Sequence, residues 1–397
     1  MAHYQVLVIG GGAAGLTVAA RLRNQENPLE VAVVEPSEKH YYQPIWTLVG
    51  AGVFDKSISE KDEVEFMPDG VTWIKDYCTG FDPESNSVSL KNGDKVTYDY
   101  LVVTAGIQID WDKIPGLKDS VGKPGTGVCS NYSIDTVAST WKNIKNLKSG
   151  NAIFTQPNTP IKCGGAPQKI MYLASHHFQK SGVRNNINVN FMSAGGGIFS
   201  VPKYAASLNK VIDRYGINTN FGHNLVAIDA DKKVATFEVM ATGEKIDMEY
   251  GMIHVTPPQS SPDFIKNSPI ANDGGWVDVD GFTTQHKKYA NIFSIGDASG
   301  IPTSKTGAAI RKQAPTLVAN LLATMQGKPM PKVYDGYTSC PLVTGYGSLV
   351  LAEFGFNAQV MESFPFDQAQ ERYSMYALKA YALPQMYWHG MLRGRDF

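Results

Sequence analysis

Six residues constrain the fold of this 397-residue chain more than any others: Gly10-Gly11-Gly12-Ala13-Ala14-Gly15. They follow the apolar run Val6 to Ile9 and open a helical pattern, Ala13 to Arg23. Gly10 permits a tight turn, Gly12 lets a pyrophosphate approach the backbone, and Gly15 lets helix and strand pack closely. The helix N-terminus at Ala13 and Ala14 then faces the phosphates. A second apolar strand, Val31 to Val34, ends in Glu35, 20 residues past Gly15. A carboxylate at that place can take both ribose hydroxyls of an adenosine. Strand, turn, helix, strand and acid stand in register, so the chain starts with a β-α-β dinucleotide site and an α/β fold is expected.

Further strands are expected at Val71 to Lys75, Val88 to Leu90 and Tyr100 to Thr104, the last running into Ala105-Gly106. The Gly-, Pro- and Lys-rich stretch Ile114 to Gly127 reads as a crossing into a second unit with its own β-α-β. There Asn188 to Met192 is the strand, Gly195-Gly196-Gly197 the turn and Lys203 to Tyr215 the helix, followed by a hairpin-like stretch from Leu225 to Met248. Asn291 to Ile295 and the helix Gly307 to Met325 return to the first unit. The expected division is a discontinuous first domain (1–113 and 282–326), a second domain (114–281) and an aromatic-rich C-terminal region (327–397).

The two nucleotide turns differ. In the second, Ser200 stands where the third glycine belongs, Pro202 follows closely, and Asn218 and Asn220 occupy the place of the ribose acid. Close helix packing and the ribose clamp are both missing, so nicotinamide binding there is not expected. The run Asn291-Ile292-Phe293-Ser294-Ile295-Gly296-Asp297 resembles the second signature of two-dinucleotide flavoproteins of the disulfide-reductase type. That resemblance implies FAD, with Asp297 on the ribityl chain and the helix start near Lys305-Thr306-Gly307 aimed at the flavin, where its dipole stabilises negative charge on the reduced ring. It also implies Gln43, Gly106 and the backbone of Cys78 as FAD contacts.

Net charge is −1 and the pI about 6.7, which gives nucleic acid no electrostatic purchase. No apolar run approaches the ~20 residues of a spanning helix. The first strand begins at Tyr4, leaving no room for a signal or transit peptide ahead of it, though a presequence removed earlier is compatible with this start. No metal site is expected. His176 and His177 are adjacent, so on a helix they point about 100° apart, and they read as a surface pair. Glu60 to Glu65 reads as a solvated charged loop.

Four cysteines (Cys78, Cys129, Cys163, Cys340) are too few and too scattered for a disulfide scaffold. A flavin without a nicotinamide partner needs another electron source, and a redox thiol pair supplies one. Cys163 and Cys340 lie 177 positions apart, both in Gly/Pro-rich settings that read as loops. Spacing alone leaves free buried thiols as the commoner outcome. Lys162, or a helix start at Ala166 to Lys169, could depress a thiol pKa beside Cys163. Cys129 reads as a passive buried thiol.

The segments Asn158-Thr159-Pro160-Ile161-Lys162-Cys163-Gly164-Gly165-Ala166-Pro167-Gln168-Lys169 and Tyr334-Asp335-Gly336-Tyr337-Thr338-Ser339-Cys340-Pro341-Leu342-Val343-Thr344 resemble the two cysteine segments of mitochondrial-like sulfide:quinone oxidoreductases. Tyr42-Gln43-Pro44-Ile45-Trp46-Thr47-Leu48-Val49-Gly50 and His254-Val255-Thr256-Pro257-Pro258 match as well, and the resemblance runs from about residue 4 to 394. It implies that sulfide is oxidised to sulfane sulfur through Cys163, facing the flavin, and Cys340, carrying the sulfur. Electrons then pass through FAD to a ubiquinone-like quinone. Sulfite, glutathione, cyanide or a second sulfide would take the sulfur.

The resemblance also implies a peripheral place on a membrane surface: the cytoplasmic face of a bacterial membrane, or the mitochondrial inner membrane after loss of a presequence. Aromatics at Tyr346, Phe354, Phe356, Phe364, Phe366, Tyr387 and Trp388 are candidates for a quinone channel, and 374–397 reads as an interfacial amphipathic segment. A core-packing helix is the alternative reading of that segment. Rival functions are a type II NADH:quinone oxidoreductase, the flavin subunit of a cytochrome-linked sulfide dehydrogenase, and a flavin-binding protein whose redox state gates a partner.

Overall fold

A computed structural model describes residues 2–396. Two sheets organise it, the first mixed and the second parallel. The first has the order Thr72–Ile74, Val31–Val34, Ala2–Ile9, Lys95–Val103, Ser87–Leu90, Cys78–Asp82, with Ile292–Ser294 also beside Lys95–Val103. Its central strands run parallel, while the three at one edge form an antiparallel meander. Val6 to Ile9 and Val31 to Val34 are almost wholly buried, as continuous apolar runs covered on both faces must be.

From the central strand the chain first moves one way, to Val31–Val34 and Thr72–Ile74, and later returns on the other side at Lys95–Val103. Crevices at the C-terminal ends of such diverging strands are where open α/β sheets bind ligands. The first glycine turn lies in this crevice. Gly10 has φ 99°, and a Cβ there would meet the Thr104 carbonyl oxygen at 2.7 Å.

The second sheet has the order Val128–Cys129, Met252–His254, Gly150–Gln156, Ile187–Ser193, Asn218–Phe221, all parallel. The stretch expected as a hairpin is three-stranded: His223–Asp229, Val234–Val239 and Lys245–Glu249. It closes a separate core over Ile114, Leu117, Ile153 and Phe237. Helices Ala13–Arg23 and Gly307–Met325 have the bounds their patterns predict. Thr306 caps the latter by accepting from the Ala309 amide at 3.1 Å.

Three expectations fail here. Cys340 is not in a loop. It lies on Thr338–Gly345, which pairs with Ser348–Phe354, and a two-stranded hairpin tolerates the neighbouring Pro341 because only one side of the ladder needs donors. Glu60 to Glu65 is not a solvated loop but a short strand and a turn, with Glu63 buried at 2% exposure. His176 and His177 diverge as expected, but are half-buried rather than a surface pair. His176 Nδ1 accepts from the Tyr346 amide at 3.0 Å, while His177 meets Trp141 edge-on.

The C-terminal segment is chiefly core rather than interfacial. Met375, Tyr376, Ala380, Tyr387, Trp388, Met391 and Leu392 are buried, leaving Tyr373 and Tyr381 outside. It docks on the first helix, where Asn24 Nδ2 donates to the Arg393 carbonyl at 2.9 Å and Arg21 pairs with Asp396. Helices Tyr373–Ala377 and Leu383–His389 are joined by one π-helical turn, Leu378–Ala382. No helix among the described residues is long and apolar enough to cross a membrane.

Candidate active site

The first glycine turn has the shape its sequence requires. A Cβ on Gly15 would lie 1.8 Å from the Gly10 carbonyl oxygen, so only glycine lets this helix sit on its strand. A Cβ on Gly12 would meet nothing within 4 Å, leaving open space beside the amides of Ala13 and Ala14. Glu35 accepts from the Gly11 amide at 2.7 Å and from the Ser37 amide at 2.7 Å. Each carboxylate oxygen keeps a lone pair for a further donor. Burial raises the Glu35 pKa and these amides oppose the rise.

Asp297 is brought to the same crevice. A Cβ on the preceding Gly296 would lie 3.2 Å from Ala14 Cβ. Burial also raises the Asp297 pKa, against the nearby ammonium groups of Lys305 and Lys162. Lys305 donates to the Asp297 and Ser299 carbonyls at 2.6 and 3.1 Å, and Lys162 donates to Gln43 Oε1 at 2.6 Å. Burial lowers both lysine pKa values to about 8, with Asp297 resisting the fall. Gly106 and Gly307 are open like Gly12. Cys78 starts the edge strand and lines a cleft of about 600 Å³ with Gln108 and Phe264. Together these residues fit a dinucleotide-linked flavin: an open phosphate turn, an acid with spare acceptor capacity, and a half-buried carboxylate facing cations.

The thiols adjoin these residues, because Lys162 bridges to Lys305 along the backbone. Cys163 Sγ and Cys340 Sγ are 3.7 Å apart, hydrogen-bonded and not joined as a disulfide. Cys163 has φ 54°, a left-handed conformation unusual for a side-chain-bearing residue. Its amide donates to the Lys305 carbonyl at 2.8 Å, just ahead of the Gly307–Met325 helix. Gly165 makes room for the partner sulfur, since a Cβ there would lie 2.5 Å from Cys340 Sγ and 2.4 Å from Leu342 Cδ2.

Lys169, on the helix Ala166–Lys180, donates to Cys163 Sγ at 3.0 Å. The sequence pointed to Lys162 or the dipole of this helix start as the source of positive potential, and the ammonium of Lys169 is what reaches the sulfur. Hydrogen bonding from Cys340 and the Lys169 charge hold the Cys163 pKa well below the ordinary thiol value, despite burial. The bond to Cys163, followed by burial, raises Cys340 well above it. This ordering, with Lys169 on Cys163, favours the negative charge on Cys163 and the proton on Cys340. Burial disfavours the Lys169 ammonium, but the sulfurs outweigh it and raise its pKa.

Sequence reasoning missed Lys379. It lies in the π-helical turn, a distortion common at functional sites. Its ammonium, 3% exposed, donates to the Pro44 carbonyl at 2.9 Å. Burial and the Lys169 charge lower its pKa to about 7, while both sulfurs pull the other way. A lone lysine inside an aromatic run was the available signal. Cys129 is buried with its pKa pushed up to about 12, bonded to the Ile253 carbonyl.

The second glycine turn is altered throughout. Residues 194–201 separate its strand from the helix Pro202–Tyr215, where residues 10–12 suffice in the first. Gln168 Nε2 donates to the Ile198 carbonyl at 2.9 Å and ties this longer connection down. The candidate quinone aromatics scatter. Phe354, Phe356, Phe364 and Phe366 pack in and around the hairpin, Tyr387 and Trp388 against His40 and Phe66, while Tyr346 reaches the Ala51 carbonyl.

The description "Pyridine nucleotide-disulphide oxidoreductase" matches residues 4–145. The mitochondrial sulfide:quinone oxidoreductase of Mus musculus is 49% identical, covering 99% of this chain and 87% of its own length. That of Dictyostelium discoideum is 50% identical over the same shares. The crystal structure of sulfide:quinone oxidoreductase from Aquifex aeolicus superposes with a TM-score of 0.81 at 18% identity, covering 100% of this chain and 92% of that one, a likeness of fold. On this evidence the chain is a flavin-dependent oxidoreductase and belongs to the sulfide:quinone oxidoreductase family.

Proposed function

We propose that this chain oxidises sulfide to sulfane sulfur at Cys163 and Cys340 and delivers the electrons, through FAD, to a quinone. The carrying observation is the free thiol pair 3.7 Å apart, polarised by Lys169 at 3.0 Å from Cys163. FAD is the favoured flavin because Glu35 and the Gly10–Gly15 turn would hold an adenosine and a pyrophosphate, which FMN lacks. Asp297, Gln43, Gly106, Gly307, Lys305 and the Cys78 backbone are assigned to the same cofactor.

In the oxidised pair, HS⁻ attacks Cys340 Sγ. A sulfur–sulfur bond forms there, the bond to Cys163 breaks, and Cys163 leaves as a thiolate stabilised by Lys169. The product on Cys340 is a persulfide. A nucleophile such as sulfite, glutathione, cyanide or a second sulfide then takes its outer sulfur and leaves the Cys340 thiol. Reclosing the pair releases two electrons and one proton. Lys379, with a pKa near the working pH, is suited to accept that proton. Bound flavin supplies the two-electron acceptor that hands the pair on to quinone. The buried Lys169 and the half-buried Lys162 and Lys305 favour anionic substrate and product in a chain with no overall positive charge.

The quinone is assigned to the face where exposed Tyr381 meets Phe54 edge-on at 6.0 Å, two positions from Lys379. A peripheral place on the mitochondrial inner membrane agrees with the mitochondrial relatives. An anaerobic titration of the FAD-loaded protein tests the reading. Sulfide should bleach the flavin or give a long-wavelength charge-transfer band, and Cys163→Ser and Cys340→Ser should each abolish the response. Bleaching by NADH alone would sink the proposal and restore the NADH:quinone alternative.

A further inference from the structure

The charged stretch after Ser59 holds a buried relay that thiol chemistry does not use. Glu63 Oε2 lies 2.8 Å from His40 Nδ1, and His40 Nε2 lies 2.5 Å from the Tyr387 hydroxyl. All three side chains are buried. One arrangement satisfies both contacts with a neutral ring: Tyr387 O–H donates to Nε2, and Nδ1–H donates to the carboxylate. A line of hydrogen bonds thus runs from the helix Leu383–His389 into the first domain.

The other oxygen, Glu63 Oε1, is buried and has no hydrogen-bond partner. Its position is informative. A Cβ built on Gly11 would lie 2.7 Å from Glu63 Oε1 and 2.7 Å from Glu35 Cγ. Gly11 is inside the phosphate turn, and its amide already binds Glu35. The orphaned oxygen therefore sits beside the expected ribose clamp. A buried acceptor left unmade is costly, and two neighbouring carboxylates repel each other. A donor brought by the cofactor would relieve both.

We propose that Glu63 is a second acceptor for the adenosine half of the cofactor, held in place by His40 and Tyr387, so that the C-terminal helix and the bound cofactor stabilise each other. This rests on the FAD reading of residues 10–15 and Glu35. By linkage the coupling is reciprocal: docking the helix tightens cofactor binding, and binding tightens the helix.

The test measures FAD affinity of the full-length protein from the rise in free-flavin fluorescence as the holoprotein is diluted. Glu63→Gln, Tyr387→Phe, their double variant and Glu35→Gln are compared. Tyr387→Phe keeps the ring packed on Tyr42 at 4.7 Å and loses only the hydroxyl. Glu63→Gln and Tyr387→Phe should each weaken FAD binding about three- to tenfold, the loss of one buried hydrogen bond. The double variant should be no worse than the weaker single, because both cut one line. Amide exchange over 383–393 should be slower in the wild-type holoprotein than after flavin removal, and less so in Glu63→Gln. If Glu35→Gln weakens binding while Glu63→Gln or Tyr387→Phe stays within twofold of wild type, or if their effects add, this inference is overturned and the FAD reading stands. If Glu35→Gln also has no effect, the FAD reading itself falls.

Discussion

Replacing Lys169 with methionine isolates the cation that makes Cys163 a thiolate. The side chain is 3% exposed, and methionine is similarly long and unbranched, so the packing is largely kept. At 3.0 Å, two unit charges in a medium of effective dielectric ~20 attract by about 5.5 kcal/mol, more than the contact contributes once desolvation is counted. Charge-assisted hydrogen bonds contribute about 1.5–3 kcal/mol in practice. At 1.36 kcal/mol per pKa unit, losing the contact should raise the Cys163 pKa by about 1–2 units. The thiol can take up a proton, which limits the cost of leaving it unpaired. Ultraviolet thiolate absorbance of the reduced protein against pH reads the shift directly, with Cys163→Ser as the blank. Lys162→Met is the matched control, since Lys162 is bonded to Gln43 and faces Asp297. A shift under half a unit in Lys169→Met, or an equal shift in Lys162→Met, would refute the assignment of Lys169 as the activating cation.

Gly165→Ala would bring a methyl to 2.5 Å from Cys340 Sγ; sulfide-driven flavin reduction should fall at least tenfold, by stopped-flow, with FAD content kept. His254 is buried, accepts from the Asn131 amide, and has its pKa lowered by burial to about 3. The unfolded chain binds that proton near pH 6.5 and the folded one only near pH 3. Stability should therefore fall progressively as pH drops through that window, and His254→Gln should flatten the fall in urea-midpoint series. Lys379 behaves likewise at higher pH. Its folded pKa is about 7 against 10.5 for the ordinary side chain, so wild type should lose stability relative to Lys379→Met as pH falls from about 10 to about 7, then level off.

The turn at Gly10 to Gly15 was legible because its glycines answer local backbone demands, which no distant contact changes. Helix bounds at Ala13–Arg23 and Gly307–Met325 were legible for the same reason. The thiol pair came from family resemblance, since 177 positions of separation carry no geometric signal. Glu63 and Lys379 were misread or missed because a charged residue usually faces water, and only tertiary packing tells that these do not. The C-terminal aromatics show another ambiguity. An apolar helical face reads alike whether it covers a bilayer or its own protein, and here Tyr387 and Trp388 cover His40, Tyr42 and Phe66 while only the last turn meets the Ala13–Arg23 helix.

The dispersal of the site along the chain has a consequence for biosynthesis. Cys163 and Lys169 emerge from the ribosome long before Cys340, and Lys379 comes later still. Closing the pair across 177 positions is a late, non-local event. Until the hairpin Thr338–Phe354 docks beside Ala166–Lys180, a nascent chain holds Cys163 next to its lysine with no partner sulfur. Reactive sulfur chemistry is thereby deferred until that hairpin has been made and has folded.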